Sequence, residues 1–327
     1  MKRFKAILFV CDRLDGPDPA YERACALAIR NGASLTVAMA LRELPEGELA
    51  GHVGQSCADI VLDYYRQHLA AKVDDARASG LNVSSRLLIG SPFVEIIREV
   101  LEQGHDLVMK TAEPTVAHDR RGYGATDMHL MRKCPCPVWL IRPEQRHSFG
   151  RILVAVDAGH TDSMGHALNI KLLQLGTSLA AIEQSALDVV YCWHMPGETI
   201  LRGRAFARET MSALESQIDH EQVANEQRLE ALVRSLPELP AEPSLHVVKG
   251  TPEIAIPAMA ETAGTELVVM GSLSRSGIAG VFIGNTAEAV LPHLSCSMMT
   301  VKPEGFRTPI RLDTAMKRLR ESATIYS

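Results

Sequence analysis

The sequence predicts an α/β chain made of two tandem copies of a five-stranded parallel-sheet domain. Two observations carry this. First, the chain repeats itself: Gly90-Ser91-Pro92 meets Gly250-Thr251-Pro252 at an offset of 160 residues. Without a gap, the same offset sets DLVMKT at 106–111 against ELVVMG at 266–271 and Gly124 against Gly284. It also sets CPCPVWLIRP at 134–143 against LSCSMMTVKP at 294–303. A constant period of this length marks a duplicated unit. Second, short runs that are apolar throughout, such as RILVAV, DVVYCW and ELVVM, alternate with segments of helical periodicity. Strands apolar on both faces and separated by helices imply a parallel sheet covered on both sides, a Rossmann-like layout.

The second copy gives the elements in order. RILVAVD is the first strand, and the segment 161–175 carries Met164, Leu168, Leu172 and Leu173 at helical spacing. LDVVYCW is the second strand, and 204–236 is expected as one long polar helix with a Met211, Leu214, Ile218 and Leu229 stripe. SLHVV is the third strand, after which Thr251-Pro252 marks a helix start with Thr as N-cap and Pro in the first helical position. ELVVM, a glycine-rich loop, the helix TAEAVLPHL and the strand MMTV complete the copy. The domains are expected at 1–146 and 147–305, joined near PEQRHSF, with a tail at 306–327. The final strands, PVWLI and MMTV, would be sheet edges in isolated copies, and an exposed apolar edge invites pairing. Pairing them gives an internal pseudo-dimer, with a homodimer as a further option.

Composition narrows the function. At 327 residues with 46% hydrophobic residues, each copy can bury its own core. No apolar run approaches the roughly 18–20 residues of a membrane span, so a soluble, cytoplasmic chain is expected. Seven cysteines at irregular spacing fit reduced thiols, and Cys134-Pro-Cys136 lacks the second Cys/His pair of a metal site. Residues 1–146 balance their charges and 147–302 carry a net −7, which argues against nucleic-acid partners.

Ligand chemistry in such sheets belongs beyond the strands' carboxyl ends. Asp12 and Asp157 each close a first strand there and can accept hydrogen bonds from an amino group or a ribose hydroxyl. After the fourth strand of the second copy comes GSLSRSGIAGVFIGNTAE at 271–288. Gly271 lets backbone approach a ligand, Gly284 can take a positive φ, and Asn285 and Thr286 open a helix whose free N–H groups attract an anion. The competing reading is a surface loop that ends in an N-cap.

This stretch, with the preceding V-M strand end and the following VKP strand, resembles the closing signature of the universal stress protein family, G-x2-G-x9-G-(S/T) in its ATP-binding members. The whole chain over residues 3–303 is similar to tandem members of that family. The resemblance implies that Asp157 contacts adenine, that second-strand residues flank the base, and that the loop wraps ribose and phosphates. The second copy keeps Asp157, Met270, Gly271 and Gly284 of the pattern. It departs at Ser274, in place of the second glycine, and at Asn285, with Thr286 one residue late; Arg275 is a candidate phosphate partner. The first copy departs further: Thr111 and Pro114 replace glycines before Gly124, so no nucleotide is expected there. Lys110, Arg120 and Arg121 remain candidates for attracting another anion.

The resemblance thus implies a non-catalytic stress-response protein with at most one ATP-type pocket, in the second domain, open to a small-molecule ligand or to protein partners. An ATP-dependent ligase or hydrolase is the alternative. Against it, the chain has no G-K-(S/T), G-x-G-x-x-G, G-x-S-x-G or H-E-x-x-H, so no enzyme is expected, or weak ATPase activity at most. DAGHTDS at 157–163 is only faintly like a pyrophosphatase-type S-G-G-x-D-S loop, and His160 and His166 are the only histidines suspected near the site.

Overall fold

The computed structural model describes residues 3–14, 16, 18–43, 57–113, 123–143, 149–159, 162–204, 208–272 and 285–312. The first copy runs β1 (Ala6–Val10), α1 (Pro19–Asn31), β2 (Ser34–Leu41), α2 (Cys57–Ala78), β3 (Val83–Ile89), α3 (Pro92–Gln103), β4 (Leu107–Thr111), α4 (Ala125–Lys133) and β5 (Val138–Ile141). The second runs β6 (Arg151–Val156), α5 (Ser163–Glu183), β7 (Ala186–Trp193), α6 (Glu198–Arg204), α7 (Arg208–Arg234), β8 (Ser244–Lys249) and α8 (Pro252–Ala263). It closes with β9 (Leu267–Gly271), α9 (Asn285–Val290), a 3₁₀ turn (Leu291–His293) and β10 (Ser297–Val301).

Local chemistry explains the helix limits. Helices α3 and α8 begin with proline behind Ser91 and Thr251 and stop at Gly104 and Gly264, whose φ of 70° and 65° suit a residue without Cβ. Thr251 sits at the N-cap as the sequence suggests, but its hydroxyl makes no capping bond. Side-chain caps occur on other helices: Asp18 on α1 and Asp162 on α5, whose carboxylates accept the N–H groups of Tyr21 and Gly165. The long polar helix expected at 204–236 differs: α6 covers 198–204 and α7 covers 208–234. Helix α5 runs eight residues past the expected end at 175, to Glu183.

Ten strands form one sheet in the order β3-β2-β1-β4-β5-β10-β9-β6-β7-β8. All pairs within a copy are parallel, while β5 and β10 pair antiparallel at the centre, Trp139 opposite Met299. Each copy thereby covers the other's edge, and an antiparallel seam between parallel halves implies a local two-fold relation. Two apolar cores, one on each face, run continuously through both copies. Trp139 is fully buried in one of them, stacked 5.5 Å from Phe149, with the Arg23 guanidinium 3.7 Å over the Phe149 ring.

The seam is also tied by polar groups. Arg142 donates to the Leu294 carbonyl (3.0 Å), and its counterpart Lys302 donates to the Met131 carbonyl (2.6 Å). Each copy thus neutralises the carbonyl end of the last helical segment of the other, where a cation is favoured. Tyr123 donates to the Cys296 carbonyl (2.8 Å), and Arg132 pairs with Glu288 (3.0 Å). Among the described residues no helix is long and apolar enough to cross a membrane, and no three His, Cys, Asp or Glu converge as metal ligands.

Candidate functional site

In the second copy β6 has β7 on one side and β9 on the other, so the strand order reverses beside it. A crevice opens at such a switch point because the following connections leave to opposite faces. Here it is a cavity of about 650 Å³. The ends of β6, β7 and β9 supply Val156, Tyr191, Trp193 and Met270, helix α5 supplies Leu168, Asn169 and Leu172, and Asn225 and Arg228 come from α7. Pro252, Ile256, Thr286 and Ala287 close the opposite side.

Asp157 follows β6 directly, and both its backbone groups are held by Asn169: the Asp157 N–H donates to Oδ1 (3.0 Å), and Nδ2 donates to the Asp157 carbonyl (2.7 Å). This buried amide fixes the end of the strand beside the cavity that Asp157 lines. Gly159 leaves room for Tyr191, since a Cβ there would lie 2.5 Å from the phenol oxygen. Gly271 is tight for a different reason: a Cβ there would lie 2.7 Å from Cδ2 of Leu168, so this glycine seats α5 against β9. The Tyr191 phenol is raised above its ordinary value by burial and by Asp157, with Arg228 opposing. The Cys192 thiol is pushed up to about 11 by burial and stays protonated. Trp193 donates to Gln222 (2.7 Å), and Arg228 donates to Asn225 (2.7 Å), which places a cation at the α7 wall.

Of the residues singled out in the sequence, Asp157, Met270, Gly271 and Thr286 line this one cavity. Asn285 opens α9, while Ser274, Arg275, Gly284 and His160 lie outside the described residues. His166 is exposed on the first turn of α5. Sequence reasoning did not single out Asn169, Tyr191, Trp193 or Arg228. Tyr191 and Trp193 had a signal, two aromatics on the same face at the end of a predicted strand. Asn169 had a weaker one, an amide on the apolar stripe of α5.

The equivalent mouth of the first copy is built differently. Lys110, at the position of Met270, is only 1% exposed and reaches Asp12 at 2.8 Å, Asp127 at 3.1 Å and Glu113 at 3.7 Å. It also donates to the Thr111 carbonyl (2.9 Å). Asp127, at the position of Ala287, is fully buried and accepts the Glu113 N–H (2.7 Å). Burial pushes Asp127 up to about 6 despite Lys110, and it raises Asp12 as well. For Lys110 burial acts downward, but the three carboxylates outweigh it and hold the ammonium charged. A Cβ on Gly124 would fall 2.9 Å or less from the Glu113 side chain, so this glycine accommodates the cluster. The expectation that Lys110 attracts an outside anion is therefore corrected: its charge is consumed by three internal carboxylates. Arg120 and Arg121 lie outside the described residues.

The comparisons agree with this architecture. The model of the universal stress protein family matches residues 3–142 and 148–302. Universal stress protein E of Photorhabdus laumondii is 28% identical over 325 residues, 95% of this chain and 99% of that protein. Universal stress protein E of Escherichia coli K12 is 36% identical over 225 residues, 68% of each chain. Two solved structures share the fold. A functionally unknown protein from Pseudomonas aeruginosa PAO1 is 22% identical, with a TM-score of 0.70 over 99% of this chain and 98% of that one. A universal stress protein from Archaeoglobus fulgidus DSM 4304 is 15% identical, with a TM-score of 0.57 over 91% and 96%. Two family segments, joined edge to edge in one sheet, make this chain a tandem member of the universal stress protein family, similar to universal stress protein E.

Proposed function

We propose that this protein is a non-catalytic regulator of the stress response whose second copy binds one adenine nucleotide or a closely similar small ligand. The observation that carries the reading is the contrast between the two mouths. The second copy has a cavity of about 650 Å³ lined by Asp157, within the range of small-molecule sites, whereas in the first copy Lys110 and its three carboxylates occupy the equivalent place. In this reading the Asp157 carboxylate accepts from the exocyclic amino group of the base. Tyr191 and Met270 form its apolar surroundings, and Arg228 offers a cation to an anionic group. Ser274, Arg275, Gly284, Asn285 and Thr286 are proposed to meet ribose and phosphate. The residues present fit such a group: strand ends, a glycine at 159 and a carboxylate border one crevice. The phenol nearest Asp157 is held protonated, so it does not serve as a base.

The test is to denature the purified chain, identify released small molecules by mass spectrometry, and titrate ATP calorimetrically into the wild type, Asp157→Ala and Thr286→Trp. Micromolar binding is expected, weakened about tenfold or more by Asp157→Ala, the scale of one hydrogen bond to a charged group. Thr286→Trp, at an exposed position that lines the cavity, is expected to block it. Neither released nucleotide nor heat, or binding untouched by both substitutions, would overturn the reading.

A further inference from the structure

A second cavity, of about 570 Å³, lies at the seam, where the segments leading into β1, β4 and β5 face the middle of α5. Arg3, His105, Asp106, Cys136 and Lys171 are among its walls. Cys136 is half-buried, and its sulfur lies 3.6 Å from that of Cys134, which is fully buried behind it. One member of a close thiol pair therefore lines the cavity, and the other lies buried beside it.

Its charge is unbalanced. Arg3 spends its donors on neutral partners, the Ser178 hydroxyl (3.0 Å) and the Gln174 carbonyl oxygen (3.1 Å). Lys171 makes a long contact to the Lys302 carbonyl (3.4 Å), with Glu304 as the acid that acts on it from a distance. Neither cation forms an ion pair with another described residue. The Asp106 carboxylate is occupied by the N–H groups of Lys5 (2.7 Å) and Ala6 (3.2 Å). Neither ring nitrogen of the buried His105 has a hydrogen-bond partner; Glu99 stands 3.8 Å from Nε2. Burial lowers both Arg3 and Lys171, so an anion between them would relieve a cost the chain carries alone.

We propose that this cavity is a modification site for small anionic disulfides of the glutathione-disulfide type, and that Cys136 and Cys134 are its exchanging pair. Carboxylates of the disulfide sit on Arg3 and Lys171, which brings its S–S bond to Cys136. The Cys136 thiol gives up its proton and its sulfur attacks one sulfur of the disulfide; a protein–ligand S–S bond forms, and the first thiolate leaves and takes up a proton. Cys134, deprotonated in turn, attacks the Cys136 sulfur, expels the second thiolate and closes a Cys134–Cys136 disulfide. The protein dithiol has lost two electrons and two protons, and the disulfide has become two thiols. The S–H contact with Cys134 and burial hold the Cys136 thiol well above its ordinary value. A disulfide that merely collides with it reacts slowly, so selectivity must come from the charged walls.

The test uses the full reduced chain, treated with oxidised glutathione or with neutral bis(2-hydroxyethyl) disulfide, with the products located by peptide mass spectrometry. Oxidised glutathione should convert the Cys134–Cys136 pair before Cys25 or Cys192 reacts, and faster than the neutral disulfide does. Cys134→Ser should stop the reaction at one glutathionyl group on Cys136. Lys171→Gln should slow the glutathione reaction about tenfold, the size of one charged contact, leave the neutral reaction unchanged, and be rescued by Lys171→Arg. Equal rates for the two disulfides, indifference to Lys171→Gln, or first modification at Cys25 or Cys192 would overturn the proposal.

Discussion

Lys110 decides what the first copy can do. A buried ammonium is tolerated only when it is paired, and removing it leaves the fully buried Asp127 carboxylate stranded. Lys110→Met, which copies the second domain at this position, should therefore destabilise the chain by about 3–5 kcal/mol. Adding Asp127→Ala, the other second-domain residue, should recover at least about 2 kcal/mol of that loss in a denaturant-unfolding cycle. Additive losses would mean that the two side chains do not act as a pair. The strand-end aspartates were legible in the sequence because they stand at a fixed place relative to a strong apolar run. The cluster was not, because Asp12, the Lys110–Glu113 stretch and Asp127 come from three segments that only the parallel order β1-β4 and the return of α4 bring together. Its one sequence trace was the change of Met270 and Ala287 to Lys110 and Asp127 at the repeat offset, which exchanges two apolar groups for an opposite-charge pair.

At the scale of elements, the way α5 lies on the sheet shapes the second-domain cavity. Gly176 sits where α5 crosses β6, and a Cβ there would come 2.2 Å from Cγ2 of the buried Val154. Overpacking of this kind costs about 1–3 kcal/mol, more than the roughly 0.8–1.0 kcal/mol that alanine gains over glycine in a helix. Gly176→Ala should lower stability by about 1 kcal/mol on balance. Gly203→Ala in α6, where a Cβ meets nothing within 4 Å, should raise it by about 0.5–1 kcal/mol. Equal signs in thermal melts would contradict this picture of α5. Strands were readable because parallel strands buried on both faces are unbroken apolar runs. Helix limits were less so: α5 runs straight through Gly176, the glycine just past the expected end, and stops only where Gln184 takes a left-handed φ of 55°, while no glycine or proline stands between Arg204 and Arg208 to mark the α6–α7 division.

For the whole molecule, the β5–β10 seam followed from an edge-strand argument, and the structure adds buried charge to it. Burial lowers Lys302 from 10.5 to about 8. Between pH 8 and 10.5 the unfolded chain then binds more protons at this site than the folded one, so its contribution makes stability rise with pH. Lys302→Met should remove that rise, visible as a difference between the two stability–pH curves; parallel curves would show that burial in the seam does not lower the amine. The antiparallel seam also sets the two mouths at opposite ends of the sheet, one closed by its own ions and one open.

This asymmetry is the central claim, and native mass spectrometry of the full chain with ATP tests it most directly, using the wild type, Asp12→Ala and Asp157→Ala. One nucleotide per chain is expected, kept in Asp12→Ala and lost in Asp157→Ala. Two nucleotides per chain, or one that survives Asp157→Ala and disappears with Asp12→Ala, would contradict it.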